Sequence, residues 1–205
     1  MTIAHHTPLV LASGSAIRAQ MLKGCGLQFS VAPSNVDEEA IKKGFEIGDA
    51  GLGRLAGELS RAKALNVAPA YPDHLTIGAD QLCVLENSIF DKPETREAAI
   101  EQLMQLQGQT HQQISAVCLA RGSEVMWEHQ CAALLTMRAL TEAEAAAYID
   151  ADLPLKSCGA YKYESLGKHL FAEVLGEDAT IKGLPLQPLL AQLHGMGAIA
   201  LEGKG

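Results

Sequence analysis

The sequence predicts a mixed α/β protein, and three observations support that class. Hydrophobic residues make up 48% and charged residues 20% of the 205 positions, which is typical of a globular domain. Short apolar runs bounded by turn residues alternate along the chain with segments of helical periodicity. No internal repeat, low-complexity segment or linker interrupts this order. We therefore expect a single domain over residues 1–205.

The N-terminal half alternates strands and helices. We expect a strand at residues 8–12, a helix at about 16–25, a strand at 27–32, a loose glycine-rich stretch at 49–53 and a helix at 55–67. The first strand is a short apolar run that ends at a Ser-Gly-Ser turn. The first helix has Gly26 after it as a stop.

The C-terminal half continues the alternation. We expect apolar strands at 75–79 and 82–85, a helix at about 94–107, strands at 113–120 and 125–137, a helix from Thr141 to about 149 and a last helix near 187–193. Arg121-Gly122-Ser123-Glu124 indicates a hairpin. Thr141 followed by Glu144 forms a capping box.

Charge and cysteine content exclude several classes of function. The 24 acidic and 16 basic residues leave a net charge of −8, which argues against a nucleic-acid coat or a binder of anionic membranes but permits a small anionic ligand. No apolar run approaches the roughly 18 residues that span a bilayer, and no basic region precedes the N-terminal apolar stretch as in a secretory signal. The five cysteines are scattered without a C-x-x-C pair, which is typical of reduced thiols in the cytoplasm.

Two clusters in the N-terminal region carry candidate chemistry. Ser13-Gly14-Ser15 with Arg18 can bind phosphate at a helix N-terminus, although serine at this position often serves only as an N-cap. Asp37-Glu38-Glu39 can hold Mg²⁺, which prefers one or two carboxylates plus phosphates and water. The same acids can also be the solvated start of a helix.

Two further clusters follow. Asp80 interrupts an apolar run, so it is either satisfied by neighbours or works as a metal ligand or general base. Lys92, in a turn before a helix, can neutralise phosphate charge. The loop at 159–167 (GAYKYESLG) combines two tyrosines with Glu164, which could provide an aromatic surface and a hydrogen-bond acceptor for a base.

Taken together, these motifs resemble the Maf family of nucleoside triphosphate pyrophosphatases. The resemblance runs from residue 9 to about 193. It comprises LVLASGSAIR, NVDE, LSRAKA, TIGADQLCVLENSIFDKP, GQTH, CGAYKYESLG and KGLPLQPLLAQL. It implies an elongated Maf/ITPase-like α/β fold, with a mixed sheet, flanking helices and a cleft between two lobes. It also implies hydrolysis of nucleotides to monophosphate and pyrophosphate with Mg²⁺ or Mn²⁺, in a homodimer.

The resemblance also implies roles for individual residues. Asp80 matches the catalytic proton acceptor, and Lys63 and Lys92 match lysines that stabilise phosphate charge. Ser13, Ser15 and Arg18 match the phosphate-binding turn, while Glu38, with Asp80, matches the metal-binding acids.

Three positions match markers of base specificity: Ile17, Gln81 and Glu164. Gln81 and Glu164 are similar to the branch that acts on 7-methyl-GTP, and a carboxylate suits the N–H edge of guanine. That branch usually has Pro-Trp where this chain has Ala16-Ile17. A stacking surface for the cationic base would then come from Tyr161 or Tyr163.

Two alternatives stay open. The same hydrolysis could act on dTTP, UTP or modified pyrimidine nucleotides. The protein could instead bind a nucleotide without turnover and regulate cell division through a partner. The retention of Glu38, Lys63, Asp80 and Lys92 favours hydrolysis. No nucleic-acid polymer or membrane is expected as a partner.

Overall fold

The structure, a computed structural model, describes residues 2–45 and 51–203. Nine strands lie in these residues: β1 Thr2–His5, β2 Leu9–Leu11, β3 Ser30–Val31, β4 Leu75–Leu85, β5 Ser88–Ile89, β6 Thr110–Arg121, β7 Glu124–Met137, β8 Phe171–Leu175 and β9 Ile199–Glu202. Seven α-helices accompany them: α1 Ala16–Gly24, α2 Glu38–Gly44, α3 Gly51–Val67, α4 Arg96–Leu106, α5 Glu142–Asp152, α6 Asp178–Ile181 and α7 Leu186–Gly195. None of these helices is long and apolar enough to cross a membrane.

A seven-stranded mixed sheet is the centre of the fold. Its order is β3-β2-β4-β6-β7-β8, and β5 pairs with β4. Strand β2 is parallel to β3 and β4, with Leu9 opposite Leu75, whereas β5 is antiparallel to β4 and β8 is antiparallel to β7. The predicted α/β class, with a mixed sheet and flanking helices, is therefore confirmed.

The chain divides into two compact units. Unit 1 comprises Met1–Asp80, Ser115–Cys131 and Gly183–Gly205, and unit 2 comprises Gln81–Ile114 and Ala132–Lys182. Leucines and isoleucines such as Leu11, Leu22 and Ile77 form the core of unit 1. The core of unit 2 contains Leu103 and Leu135. The prediction of a single domain over residues 1–205 stays a prediction.

Both ends of the described chain lie in a second, two-stranded sheet. Strand β1 pairs antiparallel with β9, so that His5 lies opposite Ile199, and the backbone N–H of His6 donates to the carbonyl of Ala198 at 2.9 Å. The N-terminal residues around His5-His6 are therefore held by strand pairing. A strand whose partner lies at the opposite end of the sequence leaves little local pattern, because pairing rather than propensity stabilises it.

The predicted helices are confirmed with shifted ends, while three strand and loop predictions need correction. The strand expected at 27–32 is reduced to β3. The polar pair Asp80-Gln81 does not separate two strands, since β4 runs through it without a break.

The third correction concerns the glycine-rich stretch at 49–53. Asp49 and Ala50 lie outside the described residues, but residues 51–53 form the first turn of α3. A Cβ at Gly53 would lie only 3.2 Å from the side-chain amide of Gln130, so the absent side chain leaves room for this neighbour. The glycine at this position serves packing rather than a loose turn.

Candidate active site

Strand β4 and helix α3 bring Lys63 and Asp80 together inside unit 1. Both residues are buried, with exposed fractions of 7% and 6%. The ammonium Nζ of Lys63 lies 2.5 Å from Oδ1 of Asp80. A buried carboxylate is costly without such a partner, so Lys63 satisfies Asp80 in this structure, while the role of Asp80 as metal ligand or general base stays a prediction.

Gly78 makes this contact possible. A Cβ at Gly78 would lie 2.2 Å from the carbonyl oxygen of Ser60 and 2.6 Å from the backbone nitrogen of Ala64, both in α3. Only a residue without a side chain permits the helix to lie this close to β4. Sequence reasoning missed Gly78, although a glycine inside an apolar strand pattern is a signal of close backbone approach.

Glu38 is the second carboxylate on Lys63. Its Oε1 lies 2.8 Å from the same Nζ, and its side chain is 41% exposed where that of Lys63 is 9% exposed. We call Glu38, Lys63 and Asp80 the acid–lysine cluster. Both carboxylates contact the same ammonium, so the two oxygens that contact it also lie close to each other.

The acidic run around Glu38 divides between the two roles that its sequence allowed. Asp37 is the N-cap of α2 and accepts from the backbone N–H of Ala40 at 3.0 Å. Glu39 pairs with Lys42 on the helix surface. These two acids are a solvated helix start, while Glu38 alone reaches a buried cation.

Ser13, Ser15 and Arg18 form a connected turn, here called the serine turn. Ser15 caps α1 by accepting from the backbone N–H of Arg18 at 3.4 Å. The Ser13 hydroxyl oxygen accepts from the backbone N–H of Ser15 and from Nη1 of Arg18, each at 3.2 Å. Both hydroxyls act as acceptors in these contacts, so the contacts leave the hydrogen of each O–H unused.

Arg18 ties the serine turn to the strand that carries Asp80. Its Nη1 donates to the carbonyl of Ala79 at 2.9 Å, and its Nε donates to the carbonyl of Gly183 at 2.8 Å. With the bond to Ser13, three of its five N–H groups are used in this clamp. The residue predicted to bind phosphate is thus also a structural link within unit 1.

The predicted specificity residues occupy different elements. Ile17 is half-buried in the first turn of α1. Gln81 follows Asp80 on β4, so its side chain leaves the strand on the opposite face. Its Nε2 donates to the carbonyls of Thr180 at 3.2 Å and Ile181 at 2.7 Å. These bonds use both amide hydrogens, so Oε1 is the atom that Gln81 can offer to a ligand.

Glu164 and Lys92 are exposed in unit 2, as expected of groups that meet a ligand. Within the described residues, neither side chain forms an ion pair. The structure therefore joins Ser13, Ser15 and Arg18 in one turn and Glu38, Lys63 and Asp80 in one cluster, both in unit 1. Gln81, Lys92 and Glu164 lie at separate positions of unit 2.

The tyrosines of the 159–167 loop differ from expectation. Tyr161 is only 4% exposed, and its hydroxyl accepts from Nε2 of Gln113 at 2.7 Å and bonds to Nε2 of His111 at 2.8 Å. The suggestion that Tyr161 stacks on a base was wrong, because its ring belongs to the core. Tyr163 is half-buried, and Nζ of Lys168 lies 5.0 Å from its ring centroid. A lysine in this place disfavours stacking of a cationic base on the same face.

His111 belongs to unit 2 and has a structural role there. It is buried beside Tyr161, and desolvation lowers its pKa to about 4. Burial also raises the pKa of Tyr161 well above its usual value. Both groups are therefore neutral near pH 7, and they form part of the core of unit 2.

The described residues can bind a hard divalent cation only if substrate and water supply the remaining ligands. Over residues 2–45 and 51–203, no group of three or more His, Cys, Asp or Glu side chains could enclose a metal ion. The acid–lysine cluster offers two carboxylates. That number suits Mg²⁺, which commonly takes one or two carboxylates and completes its shell with substrate phosphates and water.

The fold and the site define a mixed α/β protein in which a capped helix N-terminus and an acid–lysine cluster are linked through one strand. The family described as Maf-like protein matches residues 8–196. The chain therefore belongs to the Maf family.

Curated relatives match most of this chain. A nucleoside triphosphate pyrophosphatase of Legionella pneumophila (strain Lens) is 42% identical over 95% of this chain and 96% of its own. A 7-methyl-GTP pyrophosphatase of Brucella abortus is 42% identical over 91% and 94%. Among solved structures, the Staphylococcus aureus Ham1 protein superposes with a TM-score of 0.47 at 14% identity, covering 92% of this chain and 99% of that chain.

Proposed function

We propose that this protein is a nucleoside triphosphate pyrophosphatase whose substrate is 7-methyl-GTP. Its assignment to the hydrolases that act on acid anhydrides is based on its family and on the names of its relatives. The guanine assignment is supported by the name of the Brucella relative and by the chemistry of Gln81 and Glu164.

The observation that carries the proposal is the acid–lysine cluster. Asp80 is buried against an ammonium and lies one residue after a carbonyl held by Arg18, so its carboxylate is fixed in position. A general base must first lie within hydrogen-bond reach of the proton that it takes, so a fixed position favours this role. Asp80 is therefore the proton acceptor of the proposed reaction.

The reaction breaks one phosphoanhydride bond. A water oxygen bonds to the α-phosphorus, the bond from that phosphorus to the bridging oxygen breaks, and pyrophosphate leaves with the bonding electrons. Asp80 takes the proton that the water loses. Lys63, Lys92 and Arg18 place positive charge near the oxygens on which negative charge accumulates. The serine turn holds the polyphosphate through hydroxyl and backbone N–H groups.

The proposed cofactor is Mg²⁺ or Mn²⁺, held by Glu38 and Asp80. When bound, such a cation supplies additional positive charge to the phosphate oxygens. Lys63 already lies between these two acids, so it and the cation share one pair of carboxylates.

Base recognition is assigned to acceptor atoms. Gln81 offers Oε1, and Glu164 offers an exposed carboxylate that pairs with no cation among the described residues. Guanine has three N–H groups on one edge that such acceptors can bind. Ile17 adds an apolar contact. Tyr161 is buried, so hydrogen bonding rather than stacking on that ring selects the base.

We expect the protein to work in the cytoplasm and as a homodimer. A reducing cytoplasm suits a chain in which none of the five cysteines, all in its described part, forms a disulfide. A homodimer is the proposed assembly, following the resemblance to the family.

The test is release of pyrophosphate by the purified protein with Mg²⁺ from 7-methyl-GTP, GTP, UTP, dTTP, CTP and ATP. Asp80→Asn should lower turnover by roughly 10²–10⁴-fold, because it removes the base while keeping the shape. Asp73→Asn, at an exposed turn, is the matched control and should retain full activity.

Each outcome is decisive. Highest kcat/KM on 7-methyl-GTP supports both the mechanism and the assignment of the base. Preference for UTP or dTTP keeps the mechanism and refutes the guanine assignment. Nucleotide binding without pyrophosphate release from any substrate refutes hydrolysis and favours a nucleotide-binding regulator.

A further inference from the structure

Asp152 is a buried acid at a position that does not favour one. It is the last residue of α5, where the negative end of the helix dipole opposes a carboxylate, and it is only 9% exposed. Neither the catalytic assignment nor the base assignment uses it. An acid retained under these conditions needs strong local partners.

Its partners are in the loop that carries Glu164. The hydroxyl of Ser165 donates to Oδ1 of Asp152 at 2.7 Å, and the hydroxyl of Tyr148 donates to Oδ2 at 2.9 Å. The backbone N–H of Lys162 donates to the Tyr148 oxygen at 2.9 Å, and Nζ of Lys162 donates to the backbone carbonyl of Asp152. Asp152 is thus connected to the chain two residues before Glu164 and one residue after it.

The same loop is closed on itself. The carbonyl of Lys162 accepts from the backbone N–H groups of Ser165 at 3.2 Å and Gly167 at 3.0 Å. A Cβ at Gly167 would lie 2.3 Å from that carbonyl, so the close turn requires glycine. The loop around Glu164 is therefore held by hydrogen bonds to α5 and within itself, while the Glu164 side chain is exposed and makes no ion pair with any residue of the described ranges.

We propose that Asp152 is a positioning residue for base recognition, acting through Glu164. This inference rests on the function proposed above, in which the Glu164 carboxylate accepts hydrogen bonds from the base. Only a carboxylate offers two acceptor oxygens to two hydroxyl donors at once, which explains why an acid occupies this helix end. A fixed acceptor discriminates between bases better than a mobile one, because less conformational freedom is lost on binding.

The test is a double-mutant cycle between Asp152→Ala and Glu164→Gln, read as the ratio of kcat/KM for 7-methyl-GTP to that for UTP. We expect each single variant to lower this ratio roughly tenfold, mainly through KM for the preferred nucleotide, with kcat on both nucleotides changed less than about threefold. The double variant should lose no more than Glu164→Gln alone, because Asp152 then has nothing left to position.

Two further variants separate positioning from loss of structure. Ser165→Ala removes one tether and should lower the ratio part of the way. Asp152→Asn keeps the shape and one acceptor oxygen, so it should restore part of the ratio lost in Asp152→Ala. Asp150→Asn, on the exposed face of the same helix, should leave the ratio unchanged.

The tether itself is tested without substrate. Hydrogen exchange at the amides of Ser165 and Gly167 should accelerate in Asp152→Ala and not in Asp150→Asn. Unchanged exchange overturns the tether. Equal losses on both nucleotides, effects that add in the double variant, or a ratio insensitive to Glu164→Gln each overturn the positioning role. If the unmodified protein releases pyrophosphate from none of the nucleotides, the proposed function is refuted. Recognition of the base by Glu164 during that reaction is then refuted as well.

Discussion

Lys63 is the cation that holds the acid–lysine cluster together. Two carboxylates share its ammonium, and one of them, Asp80, is buried with it where α3 meets β4. Removing one partner of a buried pair leaves the other as an uncompensated charge, which is more harmful than removing both. Stability and catalysis therefore depend on the same side chain, and a suitable pair of variants can separate the two effects.

Lys63→Gln should reduce the free energy of unfolding by about 3 kcal/mol at pH 7 and lower pyrophosphate release at least about 10²-fold. Urea unfolding and steady-state kinetics measure the two quantities. Lys63→Gln combined with Asp80→Asn should recover most of the stability but none of the activity. Lys156→Gln, at an exposed site, is the control. Recovery of activity in the double variant would contradict the catalytic roles of both residues.

His111 makes the stability of the protein depend on pH. Burial lowers its pKa to about 4 from 6.5, so between these values the unfolded chain binds more protons than the folded protein does. Stability therefore rises with pH through this window and is lost as pH falls from about 6.5 towards 4.

Between pH 7 and pH 5, the wild type should lose about 2 kcal/mol more unfolding free energy than His111→Gln, which cannot titrate in this range. Urea unfolding at a series of pH values measures the difference. His169→Gln removes an exposed histidine and should follow the wild-type slope. Equal slopes for wild type and His111→Gln would show that His111 is protonated as readily in the folded protein as in the unfolded chain.

At the scale of elements, the approach of α3 to β4 decides whether Lys63 reaches Asp80. Gly78 permits this approach, and the two nearest atoms that a side chain would meet are backbone atoms, which cannot rotate away. A methyl group at this point must move the helix or the strand. The consequence is a shift of the cluster as well as a loss of packing.

Gly78→Ala should destabilise the protein by about 1–3 kcal/mol and reduce kcat, although Gly78 touches no reacting atom. Gly24→Ala is a matched control, because that glycine lies in α1 with open space around its Cβ position. The control should be neutral or stabilising by up to about 1 kcal/mol. Thermal unfolding with parallel kinetics measures both effects. A wild-type kcat in Gly78→Ala would contradict the claim that catalysis depends on the close approach of α3 to β4.

At the scale of the whole molecule, three strands are shared by the two units. Strands β4, β6 and β7 each pass from one unit to the other without interruption. Because the backbone of each strand is continuous, unfolding of its part in one unit perturbs its part in the other. The expected behaviour is one cooperative unfolding transition, as for a single domain.

The aromatic residues allow a direct measurement. Trp127 is the only tryptophan and lies in unit 1, whereas three of the four tyrosines, Tyr148, Tyr161 and Tyr163, lie in unit 2. Tryptophan fluorescence and tyrosine near-ultraviolet circular dichroism should give coincident midpoints in urea. Separate midpoints would contradict the prediction of a single domain.

Local sequence patterns determined a large part of the fold. The capping box at Thr141 and the N-cap Ser15 formed as expected, and the hairpin between β6 and β7 turns at Gly122. These features depend on hydrogen bonds among residues only a few positions apart, so a single stretch of sequence contains all the information needed. The family motifs also identified candidate site residues before any geometry was known.

Tertiary structure alone decided what these residues contact. No local pattern shows that Lys63 meets both Glu38 and Asp80, that Arg18 binds the carbonyl of Gly183, or that Tyr161 is enclosed in a core. The pairing of β1 with β9 is likewise invisible in either strand. Such contacts join positions far apart in the chain, and their energies come from burial and close approach of elements rather than from propensity. Sequence by itself determined which groups were available for chemistry, while packing decided which of them meet.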